Sequence, residues 1–187
     1  VQIATADPAN DSVAPQASSN PTDVIAVPKT SKLYVALAGN DAAHAIGVID
    51  TTKPEAGVSQ WIALPHAGSP LPRVAELWVC GAYAYAFVAD IDASYAVTGP
   101  GRVIAIDTST DAVDTADNAV IQLQGKNPGG GFPYGVASLT GGCDSVLVAD
   151  AGDAFATTPD SGGIEHVDLT QRESLGMVLS GDTLGGN

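Results

Sequence analysis

One pattern recurs three times along this chain and limits what it can fold into: an apolar run that ends on an aspartate, followed by hydroxyl or amide side chains. It reads "GVIDTT" from Gly47, "GRVIAIDTSTDAV" from Gly101 and "GIEHVDLTQ" from Gly163. Asp50, Asp107 and Asp168 therefore occupy equivalent positions, about 60 residues apart, and a period of that order is a repeat architecture's signature.

Each of these runs is the third of four short apolar segments. The first segments are "NPTDVIAV" from Asn20, "PLPRVAEL" from Pro70 and "FPYGVASL" from Phe132; the second are "LYVALAG" from Leu33, "AFVADID" from Ala86 and "VLVADAG" from Val146. The fourth are "QWIAL" from Gln60, "AVIQLQG" from Ala119 and "LGMVLSG" from Leu175. Short runs rich in Val, Ile, Leu and aromatics, separated by Gly, Pro, Asp, Ser and Thr, are strands, and no segment keeps a helical period. The expectation is an all-β chain of four-stranded antiparallel units at 20–68, 69–127 and 128–187, behind a polar arm at 1–19 that is either a closing strand or unstructured. Recurring four-stranded units are the blades of a β-propeller. Three blades do not close a ring of the usual four to eight, so the remaining blades are expected from a longer chain, a second copy or another subunit.

The sequence of Pro, strand, turn, "LYVA" or "VLVAD", a Gly-led strand ending "IDT" and a last strand ending near Gly resembles the YVTN-type β-propeller repeat over about residues 20–187. The resemblance implies a propeller fold and leaves function open, because that family holds surface proteins, lactonases and quinoprotein dehydrogenase subunits. The chain departs from the family pattern in its long loops between second and third strands and in carrying only three units.

Composition narrows the partners. Seven Lys plus Arg against 21 Asp plus Glu give a formal charge of −14, which repels nucleic-acid backbones and anionic membrane surfaces. The longest nearly apolar window, Trp78 to Ala89, is about half of what a bilayer span needs. The small, polar first 19 residues, beginning without Met, are expected to follow a removed targeting peptide, so a secreted, periplasmic or cell-surface location is expected. Cys80 and Cys143 form no CxxC spacing and are a disulfide candidate, the other reading being two separate thiols.

Candidate chemistry gathers in the loops after each second strand. Asp90, Asp92 and Ser94 have the alternate spacing that presents oxygens to a hard cation, and Asp150 with Asp153 extends the idea, which makes Ca2+ the candidate cofactor. The competing reading of these aspartates is turn capping. His44, Tyr95 and Phe155 stand at corresponding depths in the three loops and form a candidate binding rim. His44 in "AAHA" and Ser161 in "DSGG" imitate serine-protease motifs, yet both fall in repeat loops and the chain lacks the other motifs of that class. No zinc-like histidine spacing occurs. Asp107 reads as a turn former whose carboxylate accepts N–H groups from Thr108 to Thr110, since a catalytic residue has no reason to recur in every unit.

The reading that results is a secreted or cell-surface propeller segment that binds or assembles through its blade loops. The alternative is part of a propeller enzyme of the lactonase or quinoprotein-dehydrogenase kind, with catalytic residues partly outside this chain. Arg73 and Glu76, near an innermost strand, are what the sequence offers toward that alternative, and Trp61 and Trp78 toward carbohydrate binding.

Overall fold

Alternation and turn residues give three antiparallel sheets, one after another along the chain. The structure, a computed structural model, describes residues 20–38, 42–65, 71–94, 96–128, 136–138, 142–152 and 162–183. The first sheet runs β1 (Asn20–Val27), β2 (Lys32–Ala38), β3 (Ile46–Asp50) and β4 (Val58–Ile62), hydrogen-bonded in that order. The central sheet runs β5 (Leu71–Cys80), β6 (Tyr83–Ile91), β7 (Arg102–Asp107), then β8 (Ala112–Val113) and β9 (Val120–Gln122). The third sheet is β10 (Val136–Ser138), β11 (Ser145–Asp150), β12 (Gly163–Asp168) and β13 (Glu173–Ser180). The arm at 1–19 lies outside the described residues.

The central sheet differs from expectation at its outer edge. Its fourth strand is broken in two: β8 pairs with Ile106 and Asp107, β9 with Arg102 to Ile104, and residues 114–119 leave the sheet between them. The break keeps its ladder contact, because Asp114 N donates to Ala105 O at 2.9 Å and Ala105 N to Ala119 O at 2.8 Å. An interrupted outer strand also presents a short edge, which blunts edge-to-edge association. β5 and β6 join through the two-residue turn Gly81–Ala82, where Gly81 takes φ 63°, a backbone state that glycine adopts at no steric cost.

Packing follows from the period of two. Side chains of β6 and β7 alternate between two faces, and here both faces are covered, so both strands read as near-continuous apolar runs. Ala84, Ala86, Val88, Ile104 and Ile106 pack with Val74 and Leu77 against Tyr34, Ala36, Ile46, Val48 and Ile62 of the first sheet. Tyr85, Phe87, Val103 and Ala105, with Ile121 and Leu123, pack on Val146, Val148, Val167 and Leu169 of the third. In β11 and β12 only alternate residues are fully buried, the mark of a sheet covered on one face. The far face of the first sheet is closed differently: Val35, Leu37 and Ile49 lie under Leu33, Val58 and Trp61. Gly47 permits this, since a Cβ there would sit 3.0 Å from Val58 Cγ2 and 3.4 Å from Trp61 Cζ3.

Cys80, at the end of β5, and Cys143, in the turn before β11, are joined by a disulfide with Cα atoms 5.3 Å apart, which ties the central sheet to the third. It spans 63 residues of sequence, and closing a loop of that size removes unfolded-state entropy worth about 4 kcal/mol.

Two outcomes follow for stability. Phe87→Ala, in the central-to-third interface, should cost about 3–5 kcal/mol in urea unfolding, whereas Leu175→Ala, half exposed on β13, should change stability by about 0.5 kcal/mol or less. Reducing the disulfide should lower the urea midpoint and steepen the slope, because the released unfolded chain exposes more surface; an unmoved midpoint would mean that the bridge does not constrain the chain.

Candidate functional site

The three turn aspartates act locally. Asp107 Oδ1 accepts Ser109 N at 2.8 Å and the Ser109 hydroxyl at 2.7 Å; Asp50 Oδ1 accepts Thr52 N at 2.9 Å and its hydroxyl at 2.7 Å. Asp168 Oδ1 accepts Thr170 N at 2.8 Å and Gln171 N at 2.7 Å. These are Asx turns, and the hydroxyl bonds hold the Asp50 and Asp107 carboxyls below the usual carboxylate range. The residue after each aspartate also donates its N–H to the turn before that sheet's second strand: Thr51 to Ser31, Thr108 to Ala82 and Leu169 to Asp144. The repeated aspartate thus locks one end of each sheet.

The loops after β2, β6 and β11 leave at the opposite end, where the cation candidates stand. Asp90 Oδ1 accepts Arg102 Nη2 at 2.6 Å, and Arg102, itself buried, also donates to Pro65 O at 2.5 Å. Asp92 Oδ1 accepts Ser94 N, the Ser94 hydroxyl and Ala96 N at 2.8, 2.6 and 3.0 Å, which depresses its pKa. Asp90 is therefore engaged with a guanidinium, and Asp92 and Ser94 with each other in one turn. Asp150 is buried and accepts Asn127 N on both oxygens at 3.0 Å and Gly152 N at 2.7 Å; burial raises its pKa, and those N–H groups oppose the rise. Among the described residues no group of three His, Cys, Asp or Glu side chains is placed to hold a metal ion. Of the rim candidates, His44 meets Trp61 edge-on at 5.2 Å, while Tyr95 and Phe155, like Asp153 and Ser161, lie outside the described residues.

Sequence reasoning missed the most buried acid among the described residues. Glu165 is fully inaccessible on β12 and faces the central sheet beside Val167. It accepts Gln124 N at 2.9 Å, Gly125 N at 3.0 Å and the Ser174 hydroxyl, so together with Asp150 it clasps the connection from central to third sheet by its backbone. The connection passes so close that a Cβ on Gly125 would lie 2.0 Å from Asp150 Oδ2. The available signal was its register: two residues from Val167 and three from Asp168, Glu165 falls on the covered face of its strand.

Two further devices recur at both seams. The fourth residue after the turn aspartate, Asp111 or Arg172, adopts positive φ and reaches back to the preceding sheet. Asp111 accepts Lys32 Nζ at 2.6 Å and Tyr34 OH at 2.5 Å; Arg172 bonds Asp114 at 2.6 Å and lies 4.5 Å over the Tyr83 ring. The receiving residues correspond, because Lys32 pairs opposite Asp50 and Tyr83 opposite Asp107. Beside Asp111 is an open cavity of about 390 Å³ lined by Ser31, Lys32, Asp50, Ser59 and Gln60 among others.

On the first strands, an acid just past a bulge receives the next sheet's backbone. Asp23, opposite Ala36, accepts Leu77 N at 2.8 Å; Glu76, opposite Phe87, accepts Val136 N. Thr22 adds a bond to Val74 O at 2.5 Å, and Arg73 Nη2 donates to Asn127 Oδ1. Asp23, Arg73 and Glu76 thus stand on the first strands of their sheets, with Asp23 and Glu76 at the contacts with the next sheet. Glu76 Oε2 is buried without a hydrogen-bond partner among the described residues, and burial, then the charge of Asp23, push its carboxyl up to about 7 against the Val136 N–H. A carboxyl poised there can hold or release a proton at neutral pH.

No protein-family model matches the chain, and no curated protein matches it at a significant level.

The sign of the pH effect is set by the raised carboxyl. The Glu76 contribution is fully present below the ordinary value of 4.5 and is lost as pH rises through about 7, and Asp150 acts in the same direction. Urea unfolding at pH 5 and pH 8 should show the protein weaker at pH 8, with a smaller difference in Glu76→Gln. An equal difference in both proteins would remove Glu76 from the account.

Proposed function

We propose that this chain is a segment of a β-propeller, exported from the cell, that works as a scaffold for binding or assembly through the loops at one end of its sheets. The observation that carries the reading is the repetition of both seam devices at equivalent positions. Asp23 to Leu77 is repeated by Glu76 to Val136, and Asp111 to the first sheet by Arg172 to the central sheet. Joining successive sheets by one repeated set of contacts is how a fanned, radial arrangement is built. A disulfide between Cys80 and Cys143 suits an oxidising compartment, which supports export.

In each sheet the second strand leads into a loop at the end away from the turn aspartate, and loop residues on a rigid scaffold are where binding concentrates. The acidic surface selects cationic or neutral partners over anionic ones. A second reading, an enzyme whose chemistry lies at the inner edge, draws on one observation, the Glu76 carboxyl poised near neutrality beside the charge of Asp23.

Small-angle scattering tests the architecture. Sheets fanned about one axis give the profile of a wedge or ring, and a straight three-sheet stack would contradict the propeller reading. Arrays of extracellular glycans and cationic peptides test the role. Binding should be weakened at least tenfold by Asp92→Lys, at the loop end, and left within twofold by Asp107→Lys, at the opposite end. The reverse pattern would place function at the turn end.

A further inference from the structure

At the seam between the first and central sheets, the open cavity of about 390 Å³ beside Asp111 is built from residues that a regular strand would not bring together. Ser59 and Gln60 are consecutive in β4, so a strict period of two would send their side chains to opposite faces. The register shifts between Val48 and Ile49, which leaves Ser59 as the extra residue of a β-bulge, and both residues line the cavity. The turn before β2 adds Ser31 and Lys32, and the Asx turn adds Asp50. The second seam is built differently at this place. Ala82 stands where Ser31 does, since each accepts the N–H that follows its turn aspartate, and Tyr83 stands where Lys32 does, with Arg172 lying 4.5 Å over its ring. The strand that corresponds to β4 has left the sheet there, at residues 114–119.

The hydrogen bonds already made around the cavity decide what it can take. Asp111 is buried and spends its two carboxylate oxygens on Lys32 Nζ and Tyr34 OH. Asp50 Oδ1 accepts both the N–H and the hydroxyl of Thr52, while Asp50 Oδ2 has no partner among the described residues. Gln60 donates from Nε2 to Asp111 O at 3.2 Å, and its Oε1 accepts nothing among the described residues. Ser59 spends its proton on Val48 O at 3.0 Å and keeps its lone pairs. On the donor side, Lys32 uses one of its three N–H groups on Asp111. Open acceptors and open donors thus stand side by side, which suits hydroxyl groups, since each of them gives and accepts. Charge points the same way. Lys32 and Asp111 offset each other, so the charge of Asp50 repels an anion, whereas an ammonium ligand brings donors alone and meets Lys32 Nζ.

We propose that this cavity is a binding site for a neutral sugar, a hexose ring whose hydroxyls donate to Asp50 Oδ2 and Gln60 Oε1 and accept from Lys32 Nζ. Its volume falls in the range of small-molecule sites. An open cavity covers only part of the ring, so the expected affinity is millimolar. The site stands at the turn end of the first sheet, away from the loops after the second strands, so it is a second site that goes beyond the loop-end reading and does not rest on it.

Amide chemical shifts of the isotope-labelled intact chain, followed while D-glucose, D-galactose, D-mannose or the diamine putrescine is added, test the site. At least one hexose should move the amides of Lys32, Gln60 and Asp111 saturably. Asp50→Asn keeps the Asx turn, because asparagine still offers Oδ1 to Thr52, but it replaces the open oxygen by a donor. That variant and Gln60→Ala should each weaken the hexose at least tenfold, as the loss of a hydrogen bond to a charged or well-placed acceptor does, while Leu175→Ala, on β13, leaves it within twofold. The proposal is overturned if no hexose moves these amides, if binding is unchanged in either Asp50→Asn or Gln60→Ala, or if putrescine moves them and no hexose does. Failure of the loop-end reading on the glycan and peptide arrays leaves these shifts as they are, and their absence leaves the array result as it is.

Discussion

Everything in this molecule depends on β6 and β7 being buried on both faces. Their alternate side chains supply the central sheet's share of two interfaces at once, so neither outer sheet has a complete core without them. A repeat unit cannot bury its hydrophobic face alone, and stacking on its neighbours is what turns three such sheets into a folded chain. The polar contacts at the seams are then positional. Asp23, Glu76, Asp111 and Arg172 satisfy edge and turn groups that the apolar stack would otherwise leave unpaired, and they set how each sheet sits on the next.

The acids divide into three kinds by the same physical rule. Those at exposed strand ends, such as Asp50 and Asp107, accept local hydroxyl and N–H groups and ionise more readily for it. Glu165 and Asp150 are buried and are tolerated because backbone N–H groups of the Gln124–Asn127 connection meet them. Glu76 is intermediate, with one oxygen unpartnered among the described residues and a second acid close by, and burial pushes its carboxyl up to about 7. The strong net negative charge is thus partly structural, even though most of it solvates the surface.

Much of the fold was legible in the sequence, and the reasons are local. Period-two alternation marked the strands and Asx turns marked their ends, and that same alternation separates Val103 and Ala105 from Ile104 and Ile106, as the two core clusters have them. What escaped were the features set by neighbours. The break at residues 114–119 carries ordinary loop residues, and only pairing with β7 shows that a strand passes through it. The ion pair of Asp90 was not legible either, because its partner, Arg102, is twelve residues away on the next strand. Asp111 and Arg172 differ in charge sign, so their equivalence is invisible until the shared φ and the matching seats are seen.

Native-state hydrogen exchange on the intact chain tests the central claim most directly. If the doubly covered strands hold the molecule together, the amides of Phe87, Val103 and Ile104 exchange only through global unfolding, with the free energy measured by urea, while β4 and β13 open at lower cost. Slowest exchange in β2 and β3, or in β11 and β12, with the central sheet opening first, would contradict the account.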